Sequence, residues 1–147
     1  MKTGIGLGAA ALAASVVLCA SFARSDPSGD PGEGRKLYET HCQFCHGVSG
    51  KGDGPLAPEL RVTPADLTTI AKRRAWTFPE VEVREIIDGR RPVRAHGGNE
   101  MPIWGRIFGD TGALGDRDEA AAQAKIGDLV AYLRSIQVSP PRTVGQR

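Results

Sequence analysis

Residues 41–46 read His41-Cys42-Gln43-Phe44-Cys45-His46, so two thiols three positions apart are followed at once by an imidazole. Three chemistries use such a set: a structural zinc site, a thiol redox pair, and covalent attachment of a c-type haem. Zinc wants four ligands in a tetrahedral array, and beyond this motif the chain supplies no second cysteine pair, only His41 and His96. A redox dithiol sits at the start of a helix that follows a strand, and nothing before Cys42 reads as that strand. Haem attachment fits better. One helical turn carries both thiols to the two vinyl groups on one porphyrin edge, and His46 is then directed at the iron from the proximal side.

A six-coordinate electron-transfer haem also needs a ligand on its other face. Met101, in the turn-forming segment Met101-Pro102-Ile103-Trp104-Gly105, is the candidate, because the only other methionine is Met1 and Pro102 stiffens the backbone beside the sulfur. A thioether raises the reduction potential relative to a second imidazole. The plain alternative for Met101 is a core side chain, and His96, five residues earlier, is the rival ligand. Trp104 is a candidate to bond a haem propionate through its indole N–H, against an ordinary packing role. Arg91 and Arg94 are candidates to pair with propionates, against a solvated basic loop.

The elements that must position these residues follow an export signal. Lys2 precedes an alanine-rich apolar run over 9–20, and Ser21-Phe22-Ala23 offers the small residues that a signal peptidase reads, which predicts cleavage after about Ala23. Cys19 leaves with it, and Leu18 before it is too large for a lipidation signal. The run is shorter than the ~20 residues a membrane span wants, so the mature chain is expected without a membrane span, in the periplasm, where oxidising conditions prevail. The 19 Lys and Arg against 17 Asp and Glu leave a charge of only +2, which argues against a nucleic-acid binder. With 19 Gly and 10 Pro in 147 residues, short helices joined by turns are expected rather than long elements.

The expected organisation is a signal over 1–23, a flexible leader over 24–31, one domain over 32–138 and a tail over 139–147. A helix is predicted over 33–44, its apolar stripe formed by Leu37, Tyr38 and Cys42. Thr63 should cap a short helix with Pro64 in first position. Another helix should begin near Pro79, carry Val83, Ile86 and Ile87, and stop at Gly89. The last carries Ile126, Leu129, Val130, Leu133 and Ile136 at spacings of three and four, and ends before Pro140-Pro141. Residues 109–116, with three glycines, read as a loop, and no strand alternation appears.

Gly34-x-x-x-Tyr38 ahead of Cys42-x-x-Cys45-His46, then Met101-Pro102, then Asp128-Leu129-Val130-Ala131-Tyr132-Leu133, resembles class I cytochrome c over about residues 32–136. The resemblance implies an all-α cytochrome c fold, short helices and loops wrapped around one covalently attached haem. It implies that the first and last helices cross, with Gly34 allowing close approach to Tyr132 and with Tyr38 and Leu129 beside them. It also implies that a proline carbonyl accepts the ring N–H of His46, for which Pro55 is preferred over Pro58. The segments Gly50-Lys51-Gly52-Asp53-Gly54-Pro55 and Pro64-Ala65-Asp66-Leu67-Thr68 resemble those of bacterial monohaem and subunit cytochromes.

The expected function is therefore one-electron transfer, with iron cycling between ferric and ferrous states and no substrate chemistry. Its partners would be redox proteins such as a dehydrogenase, oxidase or reductase. The alternative is a cytochrome subunit held stably in a periplasmic dehydrogenase complex, which an exposed apolar patch would favour. A haem enzyme with an open sixth site would need distal acid–base groups, and His96 is the only histidine candidate. Seven basic residues against four acidic ones between positions 72 and 94 would bias docking toward an acidic partner, unless they form an ordinary charged surface.

Overall fold

The computed structural model describes residues 29–91, 101–112 and 116–141. The expected signal over 1–23, Arg94, His96 and the end of the tail lie outside the described residues. Within them the chain is helical, with one isolated antiparallel bridge between Asp110 and Arg117. No helix among them is long and apolar enough to cross a membrane.

Helix α1 (Pro31–His41) starts where Asp30 accepts the Gly32 N–H at 2.7 Å and Pro31 supplies a first-turn φ at no hydrogen-bond cost. Arg35–Glu39 and Lys36–Glu33 pairs, both 2.7 Å, lie on its exposed side. The helix expected to run to residue 44 breaks at Cys42, whose φ of −115° offsets a single further turn, α2 (Gln43–His46), ended by left-handed Gly47. The Cys42 carbonyl still accepts from His46 N at 2.9 Å, so the break redirects the chain without orphaning its backbone.

Helix α3 (Glu80–Asp88) buries Val83 and Ile87 and terminates at Gly89 in the left-handed conformation, close to its expected extent. The expected Thr63-capped helix does not form. Asp66 instead accepts from Thr68 N and Thr68 Oγ1 and caps one 3-10 turn, Leu67–Thr69, while Leu67 N donates to Gly50 O at 2.6 Å. Helix α4 (Trp104–Gly109) begins inside the segment 101–105 expected to form a turn. Helix α5 (Glu119–Ser135) begins at Asp118, which accepts from Ala121 N at 2.8 Å, well before its first large apolar residue.

The core forms where α5 meets α1, α3 and α4: Tyr38, Val83, Ile87, Trp104, Phe108, Ile126, Leu129, Val130 and Leu133 are all buried. Gly34 is the contact point between α1 and α5. A Cβ there would lie 1.9 Å from the Asp128 carbonyl oxygen and 2.9 Å from Tyr132 Cβ, so only glycine lets the two backbones touch. Tyr38 and Tyr132 meet at 5.2 Å between ring centroids, and the Asp30 N–H donates to the Asp128 carboxylate at 2.7 Å. The approach expected at Gly34 and Tyr132 is present.

Candidate functional site

A cleft of about 310 Å³ opens beside this core, with Tyr38, Cys42, His46, Met101, Trp104 and Leu129 on its walls. A smaller lobe of about 50 Å³ continues it and shares Cys42, His46, Met101 and Trp104, with Cys45 and His41 added. The helix break at Cys42 is what brings this about. It places Cys42 on the walls of both lobes and Cys45 on the smaller one and leaves His46 buried, while the segment ahead of α4 brings Met101 from a distant part of the chain.

His46 Nδ1 lies 3.1 Å from the Ala65 carbonyl oxygen. Donation there fixes the tautomer that leaves Nε2 as the lone-pair nitrogen, the arrangement of a metal-binding histidine. The acceptor is thus Ala65 and neither Pro55 nor Pro58. Both prolines are exposed, because the turn carrying them is bonded to the far side of α2: Gly54 N donates to Cys45 O at 3.2 Å and Leu56 N to Phe44 O at 2.9 Å. The loop that does reach His46 packs directly on Gly52, where a Cβ would be 2.1 Å from the Pro64 carbonyl oxygen. The Leu67–Gly50 hydrogen bond closes the same contact.

Burial, with the neighbouring Cys45 adding to it, pushes the Cys42 thiol up to about 12. A thiol held neutral in this way is a poor nucleophile near pH 7, which opposes the dithiol reading. Among the described residues no group of three or more His, Cys, Asp or Glu is placed to hold a metal ion, which opposes zinc. His41 is instead packed among rings, 5.2 Å from Trp104 and 5.3 Å from Phe108 between centroids. Trp104 also stacks on Phe108 at 5.4 Å. The apolar walls, the fixed imidazole, the Met101 side chain among the lining residues and the two nearby thiols fit a haem, with Cys42 and Cys45 for its vinyl groups.

Arg91 is not on the cleft wall and pairs with Glu85 at 3.6 Å. Three charged residues that the sequence did not single out for the site do line it: Arg73, Arg74 and Glu82. The basic bias around them is largely matched by acidic partners, since Arg74 pairs with Glu82, Arg84 with Glu80 at 3.7 Å and Arg90 with Asp88 and Glu119. The ordinary charged surface therefore describes this face better than a strongly basic docking patch.

Comparison with known families matches the cytochrome c model to residues 32–137. Comparisons with curated proteins and with solved structures gave no match.

Proposed function

The chain belongs to the cytochrome c family, whose members transfer electrons through covalently bound haem, and from that premise we propose a periplasmic one-electron carrier holding a single haem on Cys42 and Cys45, with His46 and Met101 as axial ligands. When bound, the haem supplies the exchange of one electron between ferric and ferrous iron. The chain's part is to hold still. The Ala65 carbonyl orients the His46 ring, Trp104 and Leu129 wall the cleft against water, and Met101, on the same wall, would hold the iron and keep it from substrates.

The observation that carries this reading is that His46 and Met101, far apart in sequence, share the walls of one apolar cleft with Cys42, and of its smaller lobe with both Cys42 and Cys45. The test is an optical spectrum of the protein exported to the periplasm, oxidised and then reduced with dithionite. A sharp reduced α band with a weak far-red band in the oxidised form is expected. A high-spin spectrum, or none, refutes the ligation.

A cytochrome subunit of a dehydrogenase complex is the second reading. It is favoured by two exposed apolar side chains, Phe44 within the haem-attachment turn and Leu56, whose N–H donates to the Phe44 carbonyl. Native size separates the two: a free carrier elutes alone from its host's periplasm, and a subunit elutes with a catalytic chain.

A further inference from the structure

Among the described residues lining the cleft, full charges occur only at Arg73, Arg74 and Glu82. They are brought there by an unfavourable backbone. The 3-10 turn Lys72–Arg74 ends on Ala75 (φ 52°) and Trp76 (φ 67°), two successive side-chain-bearing residues in the left-handed region. The reversal is closed by Trp76 N donating to Ala71 O at 2.7 Å and Thr77 N donating to Arg74 O at 3.0 Å. Chain reversals of this kind take glycine at the left-handed position, and residues with side chains there hold strain that the surrounding structure must impose. What the reversal achieves is to present two guanidinium groups in succession to one wall.

Each guanidinium is itself positioned. Arg73 Nη1 donates to the Asp66 carbonyl oxygen at 2.9 Å and to the Thr69 hydroxyl, which ties it to the turn that follows Ala65 and hence to the support of His46. Arg74 binds Glu82 through two atoms, Nε at 3.2 Å and Nη2, and this contact holds the Glu82 carboxyl below its ordinary range. A guanidinium has five N–H donors, so Nη1 of Arg74 keeps two for another acceptor. A haem carries two carboxylates, and a carboxylate drawn toward an apolar cleft needs a cation beside it.

We propose that the Arg73–Trp76 reversal is the receiving site for the haem carboxylates, with Arg73 and Arg74 as positioning residues, and that Glu82 acts through Arg74 to set the reduction potential. This rests on the haem reading above. A cation near the iron disfavours the more positive ferric state and an anion favours it. Across about 10 Å, at an effective dielectric of about 20 to 40, one unit charge changes the electron-exchange equilibrium about fourfold or more. Arg74 and Glu82 carry opposite charges at nearly one place, so single removals act in opposite directions and removal of both cancels.

The test is a redox titration of the haem-loaded full chain against a mediator of fixed potential, with the optical spectrum of each variant recorded alongside. Arg74→Gln and Arg73→Gln should lower the potential by a threefold or greater shift in the equilibrium, and Glu82→Gln should raise it by as much. The Arg74→Gln/Glu82→Gln pair, and Arg74→Lys, should stay within threefold of the parent. Arg35→Gln, a pair-breaking change on the exposed side of α1, is the control and should not move it. Intact spectra with Arg74→Gln and Glu82→Gln shifting the same way, or neither reaching threefold, overturn the proposal alone. A parent protein without a haem spectrum overturns the haem reading and this proposal together.

Discussion

Replacing Gly34 with alanine tests the contact on which the rest of the fold depends. The added methyl carbon would stand 1.9 Å from the Asp128 carbonyl oxygen, 2.4 Å from its carbon and 2.9 Å from Tyr132 Cβ. Two of these obstacles are backbone atoms and the third is the first atom of a side chain, so none can rotate aside. A carbon–oxygen contact settles near 3.3 Å or beyond, so α1 and α5 must separate by about 1.4 Å. Forced overpacking costs about 1–3 kcal/mol. Gaps of ~0.5–1 Å opening around Tyr38, Leu129 and Val130, each 1% exposed, forfeit a quarter to a half of each dispersion contact there.

Against this, alanine gains about 1 kcal/mol over glycine in a helix interior. Overpacking less the helix gain leaves a loss of up to about 2 kcal/mol, and the forfeited dispersion contacts add to it, so a net loss above about 1 kcal/mol is expected. Gly32→Ala, on the same helix, is the internal control: its Cβ would meet only the Asp30 carboxylate at 3.1 Å, a side chain that can give. It should be near neutral. Urea unfolding of both haem-loaded variants, followed by far-ultraviolet circular dichroism, measures the difference. A Gly34→Ala protein within about 0.5 kcal/mol of the parent would refute the reasoning, because that is the range of an uninvolved surface change.

Other perturbations address the site and its supports. Met101→Ala should open the iron to cyanide or carbon monoxide, and ligand exclusion as strong as the parent's would move the sixth ligand to His96. Cys42→Ala with Cys45→Ala should abolish covalent haem and much of the helical signal; a fully helical double variant would show that the core does not need the cofactor. Burial raises the Tyr38 hydroxyl well above its ordinary range, and it donates to Gly47 O at 2.6 Å. The unfolded chain ionises this group near pH ~10 while the folded chain keeps its proton, so stability should be full below pH ~10 and fall above it. Tyr38→Phe should flatten that fall, with Tyr132, raised in the same direction by burial, leaving part of the slope; an unchanged slope would count against it. Ala75→Gly should stabilise by about 1 kcal/mol through relief of its left-handed strain, read as a higher unfolding midpoint, and a lower midpoint would contradict that account.

The parts legible in the sequence were those set by side-chain type at short range. Cys42, Cys45 and His46 narrow the chemistry to three readings by type and spacing, and the apolar positions of α5 announce one buried face. The left-handed stop at Gly89 needed only a glycine at the end of an amphipathic run. What escaped depended on backbone meeting backbone. The support of His46 is a carbonyl, which every residue owns, so the identity of Ala65 carries no signal. Its place follows from Gly52 letting the Pro64 carbonyl close in and from Asp66 folding the chain into a single turn. Trp104 heads a helix rather than a turn because α4 packs against α3 at Gly105, where a Cβ would be 1.8 Å from the Asp88 carboxylate. That contact joins segments remote in sequence.

The cleft and the core are not separate structures. Tyr38, Val83, Ile87, Trp104, Leu129 and Leu133 belong to the buried cluster and also form the cleft wall. Each therefore presents one side to protein and the other to the cleft proposed for the haem. Few aromatic residues, 5% of the chain, are available to fill such a centre, so a porphyrin contributes apolar surface that the sequence does not supply. The consequence concerns function as much as stability. A ligand that is also core leaves the surrounding side chains little freedom to rearrange, and electron transfer is favoured when His46, Met101 and their supports keep one geometry in both oxidation states. The hydrogen bonds that hold Arg73 to Asp66 and Thr69, and Arg74 to Glu82, would likewise keep these charges in one place relative to a haem bound in the cleft, which is what the proposed effect on its potential requires.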